Sequence, residues 1–125
     1  MAGLPGEVSV LALHRFVVAP DRIAEFTEAA HAALVAFAAR PGYRGGELSR
    51  ALDRPDHWCL TTRWESVGVY RRALGDTQVR LATVPLFAHA LDEPGAYEVL
   101  AHAAPGGPVT TSASDRTPEP DPEWS

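Results

Sequence analysis

The sequence contains no lysine and no asparagine, and only one cysteine. It has no long hydrophobic run: the longest wholly apolar stretch is Ala32 to Ala39. Each absence excludes something. With Cys59 alone, no disulfide can form within the chain. Cys59 lies in an apolar stretch, where a small buried hydrophobe is the expected role. The apolar run is too short to span a bilayer. Met1 to Glu7 lacks a basic segment followed by an apolar core, so no secretory signal is read there and a cytoplasmic location is expected. No basic stripe with interleaved aromatics is present, which argues against nucleic acid as a partner. No Gly-rich phosphate loop and no metal-ligand cluster appear. That all basic residues are Arg fits codon bias in a GC-rich genome.

What is present fits one domain of 125 residues with formal charge −5. The last part, 104–125, holds Asp115, Glu119, Asp121 and Glu123 against Arg116, and is rich in Pro, Ser and Thr. Such a segment cannot bury enough apolar surface to order itself, so a folded body at 1–103 and a disordered, dispensable tail at 104–125 are expected.

Val8 to Val18 reads as a strand. Val8, Val10, Ala12, Phe16 and Val18 share one face with His14, and Leu11, Leu13 and Val17 form the other. Apolar residues on both faces predict burial on both sides. Pro20 and Asp21 open a helix whose stripe is Ile23, Phe26, Ala30, Ala33, Leu34 and Phe37, and Arg40-Pro41-Gly42 ends it. Tyr43 to Leu52 is a weaker strand in which Gly45-Gly46 suggests a bulge or a close backbone approach. Asp53 to Asp56 turns the chain into His57–Trp64, where Trp58, Leu60, Thr62 and Trp64 share a face. Ser66 caps a short helix carrying Val69, Tyr70, Ala73 and Leu74. Asp76 caps another through Val79, Ala82 and Leu86, which Pro85 should kink or interrupt. Gly95 to Leu100 supplies the last strand.

The order β-α-β-β-α-α-β is that of a ferredoxin-like α+β domain: four antiparallel strands with helices on one face. The doubly apolar first strand leaves the other face to be covered. A second copy of the sheet is the simplest cover, so a homodimer is expected.

With this order, Arg40-Pro41-Gly42-Tyr43, the strand entering Trp64-Glu65-Ser66, and the ending from Leu91 to Leu100, the chain resembles the antibiotic biosynthesis monooxygenase family over about 7–100. The resemblance implies a dimeric α+β barrel and cofactor-independent oxidation, by O2, of an aromatic polyketide-type molecule such as an anthrone or quinol. It leaves open a polyketide cyclase or isomerase using the same pocket, or a non-enzymatic dimer that binds a small hydrophobic ligand. Trp64 and Tyr70 match the Trp and Tyr of the anthrone oxygenases in this family, and the Asn of that pattern falls on Leu60. In the haem-degrading branch the Asn-Arg pair falls on His14-Arg15, the helical Trp near Ala73 and the axial His near Val84, so haem is not expected.

The expected catalytic residues are His14, Tyr70 and Trp64. His14 is a polar group in a doubly apolar strand and titrates in the range that suits proton transfer. Tyr70 can donate a hydrogen bond, and Trp64 can stack on a flat ring. Each also has a plain structural reading, as a satisfied core residue. Arg15, Arg63, Leu60 and Phe26 are the expected substrate-binding residues, although Arg15 and Arg63 could instead pair with Glu47, Glu65 or Glu98. No metal or other cofactor is expected. Glu28 and His31 have a metal-site spacing on a helix but read as a solvated face. His57, His89 and His102 read as surface residues.

Overall fold

The computed structural model describes residues 7–113. The strands are β1 (Val10–Val17), β2 (Tyr43–Arg50), β3 (His57–Trp64) and β4 (Ala96–Glu98), with the helices α1 (Ile23–Ala38), α2 (Val67–Gly75) and α3 (Thr77–Phe87) between them. A hairpin of β5 (Ala101–Ala103) and β6 (Val109–Thr111) follows. The main sheet is antiparallel in the order β2-β3-β1-β4, so the ferredoxin-like architecture holds. The expected bulge is found where the β2–β3 register shifts between Tyr43 and Gly45.

The helices cover one face. From β1 it takes Val10, Ala12 and Phe16, and from β3 Leu60, Thr62 and Trp64, all buried. Two apolar clusters lie along this face. One gathers Val10, Ala12, Phe37, Trp64, Tyr70, Ala73 and Val79; the other gathers Phe16, Val18, Ala33, Leu60 and Leu86. Phe87, at the end of α3, packs against both. The opposite face carries Leu11, Leu13, Arg15 and Val17 and has no helix over it. Val17 is half exposed there, as is Tyr97, the β4 partner of Leu11.

The capping chemistry is local. Ser66 Oγ accepts from Val69 N at the start of α2, and Asp76 Oδ2 accepts from Val79 N at the start of α3. Several expectations are corrected. Asp21 does not cap α1 with its side chain; a 3₁₀ turn, Pro20–Arg22, leads into the helix instead. Pro85 does not interrupt α3, which continues to Phe87. It sits in the last turn, where the missing N–H removes only one bond from the ladder. Cys59 is half-buried, not in the core, because odd positions of β3 face the uncovered side; its Sγ lies 3.4 Å from Thr61 Oγ1. The last strand of the main sheet is shorter than expected.

Val109–Thr111 lies in the stretch expected to lack order, yet pairs with Ala101–Ala103. Backbone pairing suffices for this, since both strands are exposed along their whole length. The rest of the expected tail, 114–125, lies outside the described residues. Among the described residues, no helix is long and apolar enough to cross a membrane.

Candidate active site

Trp64 and Tyr70 meet at the corner between β3 and α2. β3 ends at Trp64, Ser66 starts α2, and Tyr70 comes one turn later, so the two rings fold onto each other with centroids 5.7 Å apart. Trp64 has 0% exposure. Phe37 from α1 meets its ring at 5.6 Å and Tyr43 from β2 at 5.4 Å, both edge-on, and its Nε1 donates to Thr62 Oγ1 at 2.8 Å. Gly42 lets the corner close. Its φ is +84°, and a Cβ there would lie 2.5 Å from Val69 of α2. Its carbonyl accepts from Glu65 N. Tyr70 is 8% exposed, and burial pushes its hydroxyl pKa up, so it stays a donor at neutral pH.

His14 is on the helix-facing side of β1, between the two clusters. Its imidazole stacks on Phe87, with centroids 3.9 Å apart and planes within 10°. Phe87 stacks in turn with Phe37 at 6.5 Å, and Phe37 meets Trp64. A chain of rings therefore links His14 to the Trp64–Tyr70 corner without direct contact between them. Burial lowers the His14 pKa, which leaves the imidazole neutral and able to accept a proton near pH 7.

A cavity of about 450 Å³ opens at the other end of the helix-facing side, between α1, α3 and the end of β1. This is within the roughly 300–1,000 Å³ typical of small-molecule pockets. Its apolar wall includes Phe16, Val18, Phe26 and Leu86; Arg22, Glu25 and His89 also line it. Arg22 and Glu25 form an ion pair, Nε to Oε2 at 3.1 Å. His14, Trp64 and Tyr70 are not among the cavity's lining residues. His14 is two residues from the lining residue Phe16 on the same strand face, and it stacks on Phe87, the sequence neighbour of the lining residue Leu86.

The expected substrate-binding residues separate. Phe26 lines the cavity, with its ring 5.0 Å from Phe16 and 5.6 Å from Trp58. Leu60 is buried in the cluster beside the cavity. Arg15 and Arg63 project from the uncovered face. Arg63 pairs with Glu47, as the residue chemistry allowed, while Arg15 pairs with Glu93. The Arg15 guanidinium holds the Glu93 carboxyl below the usual carboxylate range. Sequence reading missed Arg22 and Glu25, and took His89 for a surface residue. His89 is exposed but also lines the cavity. Only the convergence of separate elements could reveal this. Glu28 and His31 are exposed, and no group of metal-ligating side chains forms among the described residues.

Comparison with known proteins places this geometry. The family profile for antibiotic biosynthesis monooxygenase matches residues 9–82. Among solved structures, an asparagine-to-alanine mutant of SnoaB, a cofactor-independent oxygenase from Streptomyces nogalater, superposes with a TM-score of 0.63 at 25% identity, covering 73% of this chain and 92% of its own. Unmutated SnoaB covers 90% of this chain and all of its own at 23% identity, with a TM-score of 0.61. A conserved protein from Methanosarcina mazei Go1, 15% identical, gives 0.62 over 74% of this chain and 93% of its own. No curated protein sequence matches this chain. With the profile spanning more than half of the sequence, the chain belongs to the antibiotic biosynthesis monooxygenase family.

Proposed function

We propose that this protein is a cofactor-independent monooxygenase that oxidises an aromatic, polyketide-type small molecule, anthrone- or quinol-like, with O2. Family membership and likeness to SnoaB support a monooxygenase-like role. The observation that carries the finer reading is His14: a half-buried imidazole, its pKa lowered by burial, on the same strand face as Phe16, which lines an apolar cavity with Phe26.

In an anthrone, a ring CH2 between two aromatic rings is acidic because its anion delocalises into a phenolate. His14 takes that proton. The anion gives one electron to O2, and the resulting radical and superoxide combine to a peroxide. Uptake of the proton and loss of water leave a carbonyl, so one substrate CH2 and one O2 become C=O and H2O. The protein's part is to exclude water, hold the ring, move the proton and stabilise the phenolate oxygen. Phe16 and Phe26 supply the apolar wall for the ring. Tyr70 and Trp64 lie at the other end of the helix-facing side and do not line the cavity; they act as positioning residues, through the ring chain of Phe37 and Phe87 that ends on His14.

O2 uptake recorded over a panel of anthrones and quinols tests this reading. Uptake equal to product formed, with one product oxygen traceable to labelled O2, is the expected result. Product formed without O2 consumption would make the protein a cyclase or isomerase. Binding without any turnover would make it a ligand carrier.

A further inference from the structure

After α3 the chain returns to the sheet by a short crossing segment, Leu91–Gly95. Two backbone hydrogen bonds fasten it to β1, one on each side of His14: Leu91 N donates to Arg15 O, and Leu13 N donates to Gly95 O, both at 2.8 Å. The Arg15–Glu93 pair adds a third tie from the uncovered side, with Nε to Oε1 at 2.5 Å and Nη2 to Oε2 at 3.1 Å.

The segment also meets the imidazole. A Cβ at Gly95 would lie 2.9 Å from His14 Nε2 and 3.4 Å from Cδ2 and Cε1. The first distance is shorter than nonbonded heavy atoms tolerate, so any side chain at position 95 would force the imidazole to shift. Gly95 is not in the left-handed backbone region, unlike Gly42, Gly45 and Gly106, so backbone conformation does not demand glycine here. The contact with His14 does. The imidazole is thus fixed on two sides, by the Phe87 ring against its face and the Gly95 backbone at its Nε2 edge.

We propose that Leu91–Gly95 is a strap that sets the orientation of the His14 ring, and that Gly95 is its positioning residue. The inference rests on the reading of His14 as the base and adds the device that aims it. The groups around the ring are Phe87 from α3, Leu60 from β3, Ala12 and Phe16 on β1, and the strap, whose Glu93 is engaged by Arg15. Burial alone accounts for the lowered His14 pKa, with no contribution from a neighbouring charge. Displacing the ring into water therefore raises its titration midpoint toward the ordinary value.

The test is a double-mutant cycle on the full chain: wild type, Gly95→Ala, His14→Ala and the double variant, with melting temperature and the proton NMR spectrum of His14 as readouts. Gly95→Ala is expected to lower Tm by about 4–8 °C in the wild-type background. The same substitution should cost at most ~2 °C once His14→Ala has vacated the space, within the ordinary error of additivity. In Gly95→Ala the His14 ring protons should lose part of the upfield shift imposed by Phe87, and their titration midpoint should rise. On an accepted substrate, kcat should fall by about tenfold to a hundredfold with little change in KM, as for a misplaced catalytic group. If Gly95→Ala does not fold, refolding of the double variant would itself demonstrate the contact. Equal Tm losses in both backgrounds, or unchanged His14 shifts and midpoint, would overturn the strap. Absence of any turnover by the wild type would sink the oxygenase chemistry instead, and the thermal and NMR arms would still decide what Gly95 does.

Discussion

Leu60 lies directly across the β1–β3 ladder from His14. Cross-strand partners share a face, so Leu60 is an apolar neighbour of the candidate base. Leu60 is 2% exposed and packs in the cluster with Phe16 and Leu86. An apolar side chain here keeps this flank of the imidazole dry and packed.

Placing an amide at this position should therefore be costly. Leu60→Asn should destabilise the protein by about 2–5 kcal/mol, because it leaves a cavity and buries a polar group with few partners. Denaturant unfolding measures this. A neutral outcome would mean that the site already holds water or a polar partner able to satisfy the amide.

Protonation of His14 should couple to folding. Its folded pKa is below the ordinary value near 6.5, so the unfolded chain binds more protons in that range. Stability contributed by this group is present above about pH 6.5 and is lost as pH falls from there through the folded pKa. Chemical denaturation from pH 8 to pH 5 should show the decline, and His14→Gln should flatten it. An unchanged slope in that variant would locate the pH dependence elsewhere.

Trp64 should matter chiefly through packing. Trp64→Ala removes a ring enclosed by Phe37, Tyr43 and Tyr70 and should cost about 3–5 kcal/mol. Trp64→Phe should retain the fold but release Thr62 Oγ1 and loosen Tyr70. Thermal melts of both variants, with Tyr70 fluorescence as a local reporter, check this. A melt of Trp64→Ala that matches the wild type would remove Trp64 from the core account.

The uncovered sheet face should join two copies of the chain. Leu11, Leu13 and Val17 lie on it without a helix over them, and Val17 is 52% exposed. Sedimentation at micromolar concentration should give a dimer mass, and Leu13→Arg should shift it to the monomer. A wild-type monomer would refute the pairing.

The sequence revealed the fold through periodicity. Alternating apolar residues located β1 and β3, the stripe from Ile23 to Phe37 located α1, and Ser66 and Asp76 marked the starts of α2 and α3 as the structure has them. These signals are local, and each is written within a few residues. The β5–β6 hairpin was not legible, because it rests on backbone pairing between exposed strands that leave no apolar pattern. The Trp64–Tyr70 corner was legible because a strand end and a capped helix fix it within seven residues. Arg22, Glu25 and His89 gave no such sign, since the cavity exists only where α1 and the end of α3 come together. Nor could the sequence show that Gly95 abuts His14, a contact between a missing side chain and a ring far off in the chain.

The central claim is that His14 is the base for an O2-consuming reaction, and the pH–rate profile of wild type against His14→Ala, followed by O2 uptake on an accepted anthrone or quinol, tests it most directly. The wild-type rate should rise with pH through a midpoint below 6.5 and level off by neutrality, since the neutral imidazole is the active form. His14→Ala should fold, lose about two to four orders of magnitude in rate, and lose that midpoint. A variant that keeps the wild-type rate and profile would contradict the assignment.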